Sequence, residues 1–423
     1  MRTNGIFARR RAGVLIAPLL SSVLLLSGCL SSSGDGSSDE MPPPALPGEV
    51  GGVLLDVQNP QTLQYDSFND QLVVGAVGDW GESDEVAGGV QVISWDGPDF
   101  ETAVLFRDHD DNMKHGATSA IQVVAKDRAY LVGYHGWGDN ALYAFDPRDG
   151  AFDEENNEPR VIAGISGKDI TDIALSPEGN LWVAIADGED PRIEIVDPID
   201  DVNVTETIRG FELNPNHIAF TSEHAVVSTV APDFSSGAHT LVDLGTFNIQ
   251  QKNLDPDGSD LAVRASGSDG RFFRLERSNM EAVAAYGVDA PGSAILRKDL
   301  PSDAETNNPN PQDLVFVGAE RNYLLFMNED RHWRVDASAD TPSHFLLDSG
   351  ALDLERYRVA GEPAKAHAGV QVDDMLFISL QRWYWDDEHS ISYADSYVAV
   401  FDVSEGGGEV ELDTGLASSG SDE

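Results

Sequence analysis

The sequence predicts an all-β fold, a ring of seven four-stranded blades, on three observations. A unit made of an apolar strand, an irregular loop and a second strand ending in Asp recurs about seven times in 423 residues. Its clearest copies run from Asp127 to Gly150 and from Gly179 to Asp201, with others from Asp70 to Gly97 and from Asp374 to Gly406. Steps of about 41 to 65 residues separate the copies, which suits the four-strand period of a propeller blade. No segment longer than a few turns carries a convincing helical period.

The chain opens with an export pattern. Arg2, Arg9, Arg10 and Arg11 form a basic start, and Val14 to Leu26 an apolar run too short to span a bilayer as a mature helix. Leu26-Ser27-Gly28-Cys29 follows and resembles the lipobox of bacterial lipoproteins. That resemblance implies a signal peptide over residues 1–28, cleavage before Cys29 and lipidation of Cys29. Leu30 in place of Asp implies the outer membrane, facing the periplasm or the exterior. Cys29 is the single cysteine, so neither disulfides nor a thiolate metal site enter the account. Residues 29–49, small, polar and Pro-rich after Cys29, read as a disordered tether.

Residues 50–405 hold the repeats. The second strands of the units are Val90–Trp95, Ala141–Asp146, Arg192–Asp197, Thr240–Leu244, Glu281–Tyr286, His332–Asp336 and Tyr397–Asp402. Each follows an inner pair such as Thr171–Leu175 and Leu181–Ala186, and the alternation in Ile193-Glu194-Ile195-Val196 suits a strand packed within a blade. Six or eight blades are the alternatives, because the fifth and sixth copies are degenerate. Residues 406–423 form an acidic tail. Either Val53–Val57 or the region of Glu409–Leu412 supplies the last outer strand that closes the ring. The pattern from Ser176 to Pro198 resembles the seven-bladed propellers of the YVTN and quinoprotein-dehydrogenase-like superfamily. This resemblance rests on generic blade grammar and implies a fold, not a chemistry.

With 73 acidic against 27 basic residues the net charge is −46, which repels nucleic acid and anionic lipid. A salty exterior accounts for such a surface, as does cation binding. The expected partners are the membrane, through the lipid anchor, and an envelope transporter or receptor; a monomer is expected.

In propellers of this kind, loops leading into the first strand of a blade and loops between its second and third strands share one face. Two residue sets converge there. His115, His217 and His367 begin the first strands of blades 2, 4 and 7, and Asp169 and Asp313 take the same register in blades 3 and 6. Imidazoles and carboxylates around a channel mouth suit a divalent metal such as zinc, copper or calcium, and equally cap neighbouring blade backbones. The second set lies after the second strands: Asp79 and Trp80, His135 and Trp137, and Trp383, Tyr384 and Trp385. Blades 7, 1 and 2 are consecutive in a closed ring, so these loops form an aromatic and acidic rim. Such a rim suits a sugar, an organic cation or a partner protein, and the stretch from Trp383 to Tyr393 is long enough for a lid. Asp108–Asn112 and Asp255–Asp260 are acidic turns without the full calcium-loop pattern. Arg271, Arg274 and Arg277 either neutralise nearby carboxylates or receive an anion.

No phosphate-binding glycine loop, nucleophile elbow or HExxH helix occurs. The leading expectation is a non-catalytic lipoprotein that binds a metal ion, a metal complex, a small polar ligand or a membrane partner on the funnel face. One alternative is a metal-dependent hydrolase, since lactonase-like propellers hold a divalent ion in the channel, with Asp169 or Asp313 as base. The other is an envelope scaffold.

Overall fold

The computed structural model describes residues 49–79, 88–96, 99–107, 117–134, 140–151, 160–161, 165, 168–199, 204–256, 260–266, 270–277, 282–300, 309–318, 321–386 and 389–404. All belong to the unit Pro43–Glu423. They form seven four-stranded antiparallel sheets. Blade 1 comprises Pro60–Asp66, Gln71–Ala76, Gly89–Asp96 and Asp99–Arg107, from the axis outward. Blades 2 to 6 repeat this order, with innermost strands Ala117–Ala125, Ile170–Leu175, Asn214–Phe220, Leu261–Ala265 and Pro311–Phe316. Blade 7 has Ala366–Val372 innermost, then Met375–Leu380 and Tyr397–Asp402. Each innermost strand touches its two neighbours, and Ala366–Val372 packs against Pro60–Asp66 of blade 1, so the ring is closed and seven is the count.

Closure comes from the N-terminal side. Glu49–Leu54 pairs antiparallel with Tyr397–Asp402, Glu49 opposite Phe401 and Leu54 opposite Tyr397, as the outermost strand of blade 7. This removes the open edge that an unclosed ring would expose. The expected choice between Val53–Val57 and the Glu409 region thus falls to a strand starting four residues before Val53; Glu409–Leu412 lies outside the described residues. Val50, Val53, Leu55 and Val57 are buried against Leu72, Val74 and Phe377, which is why this stretch and not a more polar one docks here.

The core is seven apolar layers, one between each pair of adjacent blades, among the described residues. The second and third strands are buried on both faces, as in Leu181–Ile185 and Arg192–Val196. Full burial of each Leu, Ile or Phe in such a layer contributes about 1.5–3 kcal/mol. The packing leaves little room between adjacent blades. A Cβ added at Gly369 would lie 2.4 Å from Val315 Cγ2 of blade 6.

The Asp that ends the repeated unit has a local structural role. Asp146, Asp197, Asp336 and Asp402 each accept the N–H two residues on (Arg148, Ile199, Ser338 and Ser404) at 2.8–2.9 Å, and Asp243 accepts that of Thr246 at 2.8 Å. In blades 2, 3, 4 and 6 these side chains turn the chain out of the third strand towards the outermost one, and Asp402 ends the third strand of blade 7 in the same way. Helix is confined to Pro342–Phe345 and a single 3₁₀ turn at Glu355–Tyr357 among the described residues.

Candidate functional site

Antiparallel order within each blade brings together the start of the innermost strand, the end of the second and the start of the third. These ends define the funnel face. Near their starts, the innermost strands of six blades carry a register shift: between Pro60 and Thr62, Thr118 and Ala120, Ile170 and Asp172, Pro215 and His217, Pro311 and Asp313, and Ala366 and Gly369. A bulge of this kind re-aims side chains and frees backbone N–H groups from the ladder. Serines of the second strands take up two of them, His217 N–H bonding to Ser228 Oγ and Ala368 N–H to Ser379 Oγ, both at 3.0 Å.

The shift corrects the sequence alignment. Asp313 and His217 sit just after their bulges, and the residue of blade 3 in that position is Asp172, not Asp169. Asp169 precedes the strand, and its carbonyl accepts Ala186 N–H at 2.8 Å. His367 lies within the bulge of blade 7. His115 lies outside the described residues, as do Cys29, Trp80, His135, Trp137 and the acidic run Asp108–Asn112.

Seven titratable side chains share the funnel. Arg277, just beyond the second strand of blade 5, donates to His217 Nε2 at 3.2 Å and to Asp260 Oδ1 at 2.6 Å. A guanidinium can only donate, so His217 Nε2 accepts and Nδ1 carries the proton. Nδ1 stands 3.9 Å from Asp172 Oδ2, beyond hydrogen-bonding distance. Arg264 pairs with Asp313 Oδ1 at 2.5 Å, and Asp313 Oδ2 accepts Gly369 N–H of blade 7 at 3.0 Å. His367 Nδ1 donates to the carbonyl of Gln61 in blade 1 at 2.8 Å, leaving Nε2 as its acceptor nitrogen. Asp172 accepts the N–H of Ile173 and of Ile218 in blade 4, each at 2.9 Å.

Several of these groups therefore do stitch blade to blade, as Gln64 does by accepting Val123 N–H at 2.6 Å. They still meet the channel: His217 keeps 22% of its side-chain surface, Asp172 21% and Arg264 30%. Desolvation by the channel walls sets their protonation. Burial pushes His217 well below the ordinary imidazole range, assisted by Arg277, Arg264 and His367. His367 falls to about 4 through burial and then the charge of Arg277. Asp172 rises to about 6 because burial outweighs its two backbone hydrogen bonds and the attraction of Arg264. Both imidazoles are neutral at pH 7.

The described members of this set form no divalent-metal site; His115, the third candidate imidazole, lies outside the described residues. Among the described residues no three His, Cys, Asp or Glu side chains converge as ligands. The Nε2 lone pair of His217 is committed to a guanidinium, and two arginines flank the remaining imidazole.

The rim is also partly committed. Trp383–Trp385 pairs with Ile391–Tyr393 as an extra hairpin between the second and third strands of blade 7. Lys365 Nζ lies 4.5 Å from the centroid of the Trp383 ring and 2.9 Å from Glu362 Oε2. The Trp383 ring of the expected rim is thus covered by the chain's own ammonium. Trp383 Nε1 donates to Gln381 Oε1 at 3.1 Å, and Trp385 N–H to Glu362 Oε1 at 3.2 Å. Tyr384 is half-buried beside them. Arg271 and Arg274 bond to Asp340 and to Glu276 and Asp255, so they neutralise carboxylates.

Sequence reading missed Asp172 and Arg264, and weighed Arg277 without linking it to the channel. Asp172 was findable: Asp172-Ile173-Ala174-Leu175 matches Asp313-Leu314-Val315-Phe316 in apolar pattern, whereas Asp169 does not. Arg264 had no such signal, because blade 5 lacks the bulge.

No protein-family model and no curated protein matches the chain. Solved structures share its fold. Virginiamycin B lyase from Staphylococcus aureus, as a catalytically inactive variant with quinupristin, is 8% identical, with a TM-score of 0.50 over 83% of this chain and 98% of the lyase. The propeller domain of Cps50 (Swd1) from Myceliophteria thermophila is 12% identical over 84% of this chain and all of that one, at 0.50. U3-55K is 9% identical, at 0.54 over 84% of this chain and 99% of its own. At these identities the likeness concerns architecture alone.

Proposed function

We propose that this propeller is the body of an outer-membrane lipoprotein, anchored through Cys29, that binds a small polar ligand in its funnel without transforming it. The observation that carries the binding reading is the cluster of His217, His367, Asp172, Asp313, Arg264 and Arg277. It combines both signs of charge with two imidazoles held neutral, at the one face where seven blades converge. Polar groups fixed in position by blade-to-blade hydrogen bonds are preorganised, which lowers the cost of ligand capture. No nucleophile–base pair is among them, which favours binding over turnover. Membership of the YVTN-like superfamily is part of the same proposal, supported by the blade pattern from Ser176 to Pro198.

A thermal-shift screen of small polar compounds on the full chain in detergent tests the function. Hits should lose their shift in the His217→Ala/His367→Ala variant. Hits retained unchanged in that variant would remove the funnel from the account. Radiolabelled palmitate incorporation, abolished by Cys29→Ser, tests the anchor.

A further inference from the structure

Among its described groups the funnel is one positive charge short. Among the described groups in electrostatic contact there, Arg264 is matched by Asp313 and Arg277 by Asp260, while His217 and His367 are neutral. Asp172 is left over. Its two oxygens accept the backbone N–H groups of Ile173 and Ile218, and the one ionisable side-chain nitrogen within 4 Å among the described residues is His217 Nδ1 at 3.9 Å. A carboxylate flanked by low-dielectric walls and without a cation in hydrogen-bonding contact is costly to keep ionised.

We propose that the funnel recognises a small organic monocation, a ligand with a primary ammonium group that pairs with Asp172. This rests on the reading of the funnel as a binding site and names the ligand's chemical class. Three further observations agree. The net charge of −46 draws cations towards a cleft in the molecule and repels anions. The neutral ring of His217 stands beside Asp172 without supplying the missing charge. Among the described residues no arginine or lysine forms an ion pair with Asp172: Arg264 attracts it only from a distance, its own guanidinium being held by Asp313. An ammonium also differs from a metal ion in its demand: it needs acceptors on one side, not a closed ligand set.

The test uses the full chain in detergent, at pH 7.5, with matched probes. One set is ethanolamine, ethylene glycol and glycolate; the other is benzylamine, benzyl alcohol and benzoate. Calorimetry should show the amine of at least one set binding at least tenfold tighter than its alcohol and its carboxylate. Asp172→Asn, checked for an unchanged circular dichroism spectrum, should weaken that amine at least tenfold. Should Asp172→Asn fail to fold, the amine-to-alcohol ratio in the unaltered protein decides alone. Equal binding of amine and alcohol, or tighter binding of the carboxylate, overturns the monocation. If such a ligand is nevertheless lost in the His217→Ala/His367→Ala variant, the funnel reading survives. No binding by any probe, together with no hit in the wider screen, overturns both.

Discussion

Acidification should unfold this protein through its buried imidazoles, and His332 gives the cleanest test. His332 has no exposed surface; its Nδ1 accepts Phe326 N–H at 3.1 Å, and its Nε2 has no partner. Burial alone pushes its pKa to about 3, and burial pushes His239 and His367 to about 4. Each of these groups binds a proton in the unfolded chain below the ordinary imidazole value of about 6.5 but not in the fold. Their stabilisation is therefore full above about pH 6.5 and is lost as pH falls towards 4, at about 1.4 kcal/mol per pH unit per group. Between pH 6.5 and 5 each loses about 2 kcal/mol. Asp172 acts with the opposite sign. Raised to about 6, it takes up a proton in the fold first and returns about 1.4 kcal/mol between pH 6 and 5. The net loss is about 5 kcal/mol, comparable with the whole stability of many domains. His217 shifts in the same direction as the other three imidazoles and adds to it.

Urea unfolding at half-unit pH steps, in 1 M salt to screen the acidic surface, measures this slope. His332→Asn keeps an acceptor near the position of Nδ1 and removes the titrating ring. It should lessen the fall between pH 6.5 and 5 by about 2 kcal/mol. An unchanged slope in His332→Asn, or a parent protein equally stable at both pH values, would refute the reasoning.

Three other expectations concern the fold. Gly369→Ala, whose Cβ would press on Val315, should cost about 1–3 kcal/mol in denaturant unfolding, because the innermost strands of blades 6 and 7 cannot separate freely. Removing Glu49–Leu54 uncovers the edge of Tyr397–Asp402 and the buried Phe377, so size-exclusion chromatography should show aggregates in place of the parent peak. Asp197→Ala deletes the turn bond to Ile199 N–H and should cost about 1 kcal/mol in the same denaturant assay.

Much of this architecture was legible because the signals are local. The seven repeated strands are visible in the sequence since apolar alternation and, in several blades, an Asp-capped turn are both short-range patterns, as at Arg192–Asp197. Closure was half legible: Val53 reads as strand, but only pairing with Tyr397–Asp402 shows that the strand begins at Glu49. The site was less so. His217, His367 and Asp313 announce themselves by residue type, yet a one-residue bulge decides that Asp172 and not Asp169 is their counterpart. Arg264 reaches Asp313 from a neighbouring blade, and Lys365 lies against Trp383; neither contact has any sequence spacing to reveal it.

The most direct measurement is the carboxyl carbon titration of Asp172 by NMR, assigned by difference from Asp172→Asn, with and without saturating amine. Titration near pH 6 in the free protein, shifted down by at least one unit when the amine is bound, is the predicted result. Titration near the ordinary aspartate value of about 3.9, unmoved by any amine, would contradict the claim that the funnel holds a carboxylate waiting for a cation.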